Sequence, residues 1–251
     1  MPEWLVAGFW GLVAGSSLLL GAAIADLMSL GKSTIAYVMA FGSGVLISAL
    51  SFDLMADAYR RGGFDSTSLG FVGGAAVYSV LNWILSRKGA QNRKRSGGQQ
   101  PSEQENPGSG MAIAVGALLD GIPESMVIGL SLIGGGSVGM VAVVAIFISN
   151  VPEGLSSSAG MKKAGRSRKY IFGLWTGIVL ISAIASLIGY AGFRGASGDF
   201  IAAITAVAAG AMLAMLADTM IPEAFDDVRN WSGLITVVGF LVAFILSKNG
   251  G

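Results

Sequence analysis

The sequence predicts an all-α membrane protein of eight transmembrane helices, and three observations carry that expectation. Of 251 residues, 53% are hydrophobic and only 12% are charged, where a soluble domain carries about 25% charged residues. Apolar runs approaching or exceeding the roughly 20 residues of a crossing recur along the chain. Glycine is abundant, at 38 residues, as suits helices that approach closely through small side chains. There is no Cys and no His. That excludes a disulfide framework, a thiolate metal centre and the one side chain that titrates near neutrality without help.

Taken in order, the spans are expected at 4–28, 34–58, 69–86, 111–133, 138–161, 170–193, 200–225 and 234–246. Glu3 precedes the first and no basic leader does, so a cleaved signal peptide is not expected. Gly134-Gly135-Gly136-Ser137 is expected to turn span four into span five. The eighth is short and is extended by Trp231 as an interfacial anchor. Residues 87–110 form the long polar segment, rich in Arg, Lys, Gln, Ser and Gly. Such composition predicts a disordered cytoplasmic connector, with contact to anionic headgroups as the alternative. The whole chain, 1–251, is expected to be a single transmembrane domain.

Basic residues set the orientation. Lys32, Arg87, Lys88, Arg93, Lys94, Arg95, Lys162, Lys163, Arg166, Arg168, Lys169 and Arg229 fall on one side of an eight-span chain. Arg60, Arg61, Arg194 and Lys248 fall on the other, which makes twelve of the 16 Lys and Arg against four. The positive-inside rule then places both termini outside the cytoplasm. Neither basic cluster lies in a folded module of the kind that binds nucleic acid, and none is expected as a partner.

Within the apolar runs, Leu119-Asp120-Gly121-Ile122-Pro123-Glu124-Ser125 is echoed by Ser149-Asn150-Val151-Pro152-Glu153-Gly154. Positions i and i+4 share a helix face, so Asp120 stacks with Glu124 and Ser149 with Glu153. Each Pro removes a helical hydrogen bond and frees a carbonyl, that of Leu119 or of Ile148. Carboxylates at such depth are costly unless they meet a cation, protons or a wet path. Cation binding suits them best. Asp218, four residues before Pro222, is a further mid-span carboxylate, followed by Glu223 and the pair Asp226, Asp227. Asp26, Asp53 and Asp57 lie near span ends, where interfacial solvation competes with a role on the pathway. The serines Ser156-Ser157-Ser158 either line a polar exit or permit close helix approach.

The paired Pro-Glu helices resemble spans four and five of ZIP (Zrt/Irt-like) divalent-metal transporters, whose fourth span carries His-Asn-x-Pro-Glu-Gly. The run Asp218-Thr219-Met220-Ile221-Pro222-Glu223 is similar to the family's segment ending in Ile-Pro-Glu. Gly42-Ser43-Gly44-Val45 through Asp53 to Asp57-Ala58 resembles its second-span pattern. The resemblance implies a 3+2+3 bundle with inverted repeats, a general transporter design. It implies one metal position at Asp120, Glu124, Ser149 and Glu153, and a second at Glu124, Asn150, Glu153 and Asp218. Asp26, Asp53, Asp57 and Glu223 become pathway candidates. Every position where the family supplies His carries another residue, which leaves an all-oxygen donor set. Such donors suit Mn, Mg and Ca, while Zn also accepts carboxylates.

The function so implied is transport of a divalent metal such as zinc, manganese or iron across the plasma (inner) membrane. The alternative is a membrane sensor or scaffold that binds metal without moving it. The expected partners are the metal ion, as substrate, and membrane lipid, with a homodimer left open as an assembly. Neither an organic cofactor nor an enzyme activity is expected; a metallohydrolase of the His-Glu-x-x-His kind is excluded by the lack of His.

Overall fold

The computed structural model describes residues 2–133, 139–226, 228 and 230–249, and these are helical with no strands among them. The helices are α1 (Glu3–Leu27), α2 (Lys32–Ala49), α3 (Met55–Leu85), α4 (Ser109–Ser131), α5 (Met140–Lys163), α6 (Arg168–Ala191), α7 (Gly198–Met215), α8 (Ile221–Asp226) and α9 (Ser232–Asn249). The expected turn at Gly134–Ser137, the start of span five at Val138, and Asp227 and Arg229 lie outside the described residues.

Wide π turns join several of these helices. One at Leu50–Leu54 links α2 to α3, and one at Leu216–Met220 links α7 to α8. In each, the first residue of the following helix bonds back five positions, Met55 N–H to Leu50 O and Ile221 N–H to Leu216 O. The second has a visible cause, because Pro222 just beyond it cannot donate into the regular ladder. The first contains no proline. Such turns collect at functional sites.

Among the described residues, seven helical segments are long and apolar enough to cross a membrane, and the chain is a multi-pass membrane protein. One of them, Lys32–Ala90, runs for 59 residues. At 1.5 Å per residue that is about 90 Å, some three times the hydrocarbon thickness. It is broken at Gly63, whose φ of 66° and ψ of −166° no helix contains. That combination is essentially restricted to glycine.

Packing follows a regular scheme. The first helix lies along α5 and α6, α4 along α6, α2 along α5 and α9, and α3 along α7. At four of these crossings, α1 with α5 and α4 with α6 as well as α2 with α9 and α3 with α7, the backbones touch. A Cβ on Gly44 would sit 1.9 Å from Thr236 O, and one on Gly239 2.1 Å from Phe41 O. Likewise Gly74 and Gly210 face Val207 O and Phe71 O at 2.0 and 1.9 Å. Small residues therefore act as they do in membrane helix pairs, letting main chains approach. The outward faces carry exposed Leu180, Ile184 and Ile188 on α6 and Leu234, Val237, Leu241 and Ile245 on α9. In a bilayer this apolar belt meets lipid tails.

Candidate functional site

The two Pro-Glu motifs lie inside continuous helices, Pro123 within α4 and Pro152 within α5. Asp120, Glu124 and Glu153 are each at most 4% exposed, and Ser149 and Asn150 are buried with them. The Ser149 hydroxyl donates to its own helix, at 3.0 Å from Ile146 O. One oxygen of Glu124, Oε1, is buried with no hydrogen-bond partner. Three carboxylates in an apolar interior require compensation, and here it comes from the polar segment before α4.

The segment expected to be a disordered connector is instead packed into the bundle. Arg93 and Lys94 are 2% and 3% exposed. The Arg93 guanidinium grips Asp120 in a two-pronged pair, Nε to Oδ2 and Nη2 to Oδ1, both at 2.9 Å. Such forked, charge-assisted bonds are the strong ones. Tyr78 and Asn82, one turn apart on α3, complete the cage. Tyr78 donates to Asp120 at 2.8 Å, and Arg93 Nη1 donates to Asn82 Oδ1 at 2.8 Å. Lys94 Nζ spans the two motif helices, 3.3 Å from Asp120 Oδ2 and 2.8 Å from Glu153 Oε2. The next two residues take Glu223: Arg95 at 3.5 Å, and Ser96 through its N–H at 2.8 Å and its hydroxyl. Arg95 also pairs with Asp226.

The main chain of the segment is held as firmly as its side chains. Ser156 donates to the Lys94 carbonyl and Ser157 to the Arg93 carbonyl. Gln100 Nε2 donates to the carbonyls of Arg93, Arg95 and Ser157 at 2.9–3.1 Å. Lys163 donates to Ser96 O at 2.6 Å. Two of the three serines singled out in the sequence thus satisfy carbonyls of a buried loop, which otherwise has no ladder to join. The third, Ser158, accepts from Trp175 Nε1. Further along, Glu103 accepts from Arg166 and from the N–H groups of Gly108 and Gly110. These donors hold its carboxyl down at about 2, the Arg166 bond first among them.

The remaining candidates divide by position. Asp218 is exposed and accepts from Asn82 Nδ2 at 3.1 Å. Asn82 thereby links it to Arg93 and so to Asp120. Glu223 is buried under Arg95 and Ser96, as above. Asp26 pairs with Arg168 at the end of α1. At the opposite end of the bundle, Asp53 and Asp57 border a cavity of about 450 Å³ with Arg60, Arg61, Thr205 and Lys248. Asp53 Oδ1 accepts from Ser247 at 2.7 Å, and its Oδ2 has no partner. Asp57 pairs with Arg61 at 2.7 Å and with Arg60 at 3.4 Å.

Among the described residues, no three carboxylates converge closely enough to hold a metal ion by themselves. Both expected positions are affected, since Asp120 is committed to Arg93 and Asp218 to Asn82. Sequence reading missed Tyr78, Asn82, Arg93, Lys94, Arg95 and Ser96. A charge count offered one signal: the apolar runs hold several acids at depth, and Arg93-Lys94-Arg95 is a dense run of nearby cations. Tyr78 and Asn82, four apart on one helix face, gave a weaker one.

Comparison with protein-family models finds no match. A protein of Arabidopsis thaliana that carries the provisional name of zinc transporter is 25% identical over 190 residues. The alignment takes in 74% of this chain and 29% of that protein, so the chain spans less than a third of the relative's length.

Proposed function

We propose that this protein carries a divalent metal cation across the plasma membrane, between α4 and α5. The observation that carries this reading is the buried trio Asp120, Glu124 and Glu153, on two proline-bearing helices, with one Glu124 oxygen still unpartnered. Ionisable groups at such depth mark ion pathways by default. The name borne by the Arabidopsis relative favours zinc; the all-oxygen donor set extends the choice to manganese or iron.

The architecture that fits this function has eight crossings. The break of Lys32–Ala90 at Gly63 supports counting it as two crossings, and the positive-inside count favours both termini outside. The packing scheme supports an inverted repeat. Exchanging spans one, two and three for six, seven and eight turns the α3/α7 crossing into the α9/α2 crossing, and α1/α5 into α6/α4. Spans four and five then lie between the two triplets. A sensor that binds metal without moving it is the second reading, favoured by the basic segment lodged in the cluster.

Metal uptake into proteoliposomes tests both. Glu124→Gln and Glu153→Gln keep side-chain volume and remove charge, so each is expected to abolish most flux in a folded protein. Flux within a factor of two of the parent in both variants rules out the pathway. Saturable binding with no flux in the parent selects the sensor.

A further inference from the structure

We infer that the 92–100 segment is a built-in competitor for the transported cation, and that metal enters the cluster only as Arg93 and Lys94 leave it. This inference rests on the metal reading of Asp120, Glu124 and Glu153. Its starting point is the cation position itself. Lys94 Nζ sits 2.8 Å from Glu153 and 3.3 Å from Asp120, where a metal bridging α4 and α5 would have to bind. Arg93 meanwhile occupies both oxygens of Asp120. In the docked state Asp120 and Glu153 are already in use, and Glu124 alone of the three keeps an unpartnered oxygen.

Charge makes the exchange feasible. Arg93 and Lys94 together bring two positive charges, the charge of one divalent ion. Replacing the pair by the ion leaves the net charge around Asp120, Glu124 and Glu153 unchanged, so the exchange adds no further unbalanced charge to a low-dielectric interior. Removing the segment with no metal present would add such charge. Release is thereby tied to metal arrival.

The segment is also built to detach as a unit. Beyond the cluster, its anchors are hydrogen bonds to Ser156, Ser157 and Lys163 and ion pairs to Glu223 and Asp226. It buries little apolar surface of its own: Asn92 to Gln100 contains no hydrophobic side chain. The neutral hydrogen bonds among these anchors exchange for bonds to water when the segment is exposed, while the charge-assisted bonds to Glu223 are the ones that resist release. One helix position touches the main chain of the segment directly. A Cβ on Gly160 would lie 2.0 Å from Arg95 O and 2.2 Å from Gln100 Nε2. Gly160→Ala therefore expels the segment without touching any charge in the cluster.

The test compares the parent, Gly160→Ala and Lys94→Gln as full-length proteins in detergent. Limited trypsin digestion read by mass spectrometry reports cleavage after Arg95, and isothermal titration reports the affinity for Zn²⁺ and Mn²⁺ chlorides. The parent is expected to resist cleavage there without metal and to be cut at least tenfold faster at saturating metal. Gly160→Ala is expected to be cut quickly without metal, and both variants to bind metal at least tenfold more tightly. Equal affinity in all three proteins, with cleavage indifferent to metal, overturns the competition and leaves the metal reading standing. Absence of metal binding in all three overturns the metal reading and the competition with it. If Lys94→Gln fails to fold, Gly160→Ala decides alone.

Discussion

The two ends of the bundle carry the same helical device and use it differently. After the π turn at Leu50–Leu54 comes Asp57-Ala58, and after that at Leu216–Met220 comes Glu223-Ala224, at the same offset. Each acid follows, across its π turn, a helix that makes a backbone-to-backbone crossing, α2 at Gly44 and α7 at Gly210. Yet Asp57, about a third exposed, pairs with Arg60 and Arg61 of its own helix beside an open cavity. Glu223 is 2% exposed and is held by residues more than a hundred positions away. Equivalent local structure therefore does not fix an ion pair's character. What decides it is whether a distant segment reaches in and excludes water.

The strongest way to break this contrast is at the buried end. Arg93→Ala leaves the buried Asp120 with only the longer Lys94 contact and the Tyr78 hydroxyl, and truncating one member of a buried pair costs about 3–5 kcal/mol. A correspondingly large drop in detergent melting temperature is expected. A loss below about 1 kcal/mol would mean that water already reaches Asp120.

A matched pair of substitutions sharpens it. Glu223→Gln weakens charge-assisted bonds to Arg95 and Ser96, each worth about 1.5–3 kcal/mol. Asp57→Asn disturbs a solvated pair worth about 0–1 kcal/mol. Denaturation of both variants in the same detergent should rank Glu223 well above Asp57. The reverse order would place solvent at the wrong end.

The connection at Gly63 comes next. Its backbone, at φ 66° and ψ −166°, is one that other residues adopt at about 1–3 kcal/mol. Gly63→Ala meets no neighbouring atom, so any destabilisation reads backbone strain alone. A neutral result would show that the break between the two halves of Lys32–Ala90 relaxes freely.

The smallest effect concerns Glu103. Its carboxyl, held at about 2 by Arg166 and two backbone N–H groups, lies below the ordinary 4.5. A depressed folded value means that the anchor is complete above about 4.5 and is lost only as pH falls toward 2. Between pH 7.5 and 5.5 this end of the segment should not respond. Amide shifts of Gly108 and Gly110 in nanodiscs would follow it; a midpoint at 4–5 would show that the carboxylate is not held.

Much of this molecule was legible in its sequence. Helical class, the membrane, and the burial of Asp120, Glu124 and Glu153 follow from hydropathy and from i, i+4 spacing, which act within one helix. The stacking of Asp120 on Glu124 needs nothing from the rest of the chain. The role of residues 92–100 was not legible, because composition alone describes Asn-Arg-Lys-Arg-Ser-Gly-Gly-Gln-Gln as a solvated connector. Its order comes from partners at 120, 153, 156, 157 and 223.

The π turn at Leu50–Leu54 was equally silent, lacking the proline that marks its counterpart. By itself, then, the sequence determined which residues must leave water and which acids would need a cation. Only the tertiary structure decided that the cation is the chain's own Arg93 and Lys94. Compensation of buried charge is a through-space requirement, met by whichever opposite charge the fold brings within a few ångströms, and that distance is not written along the chain.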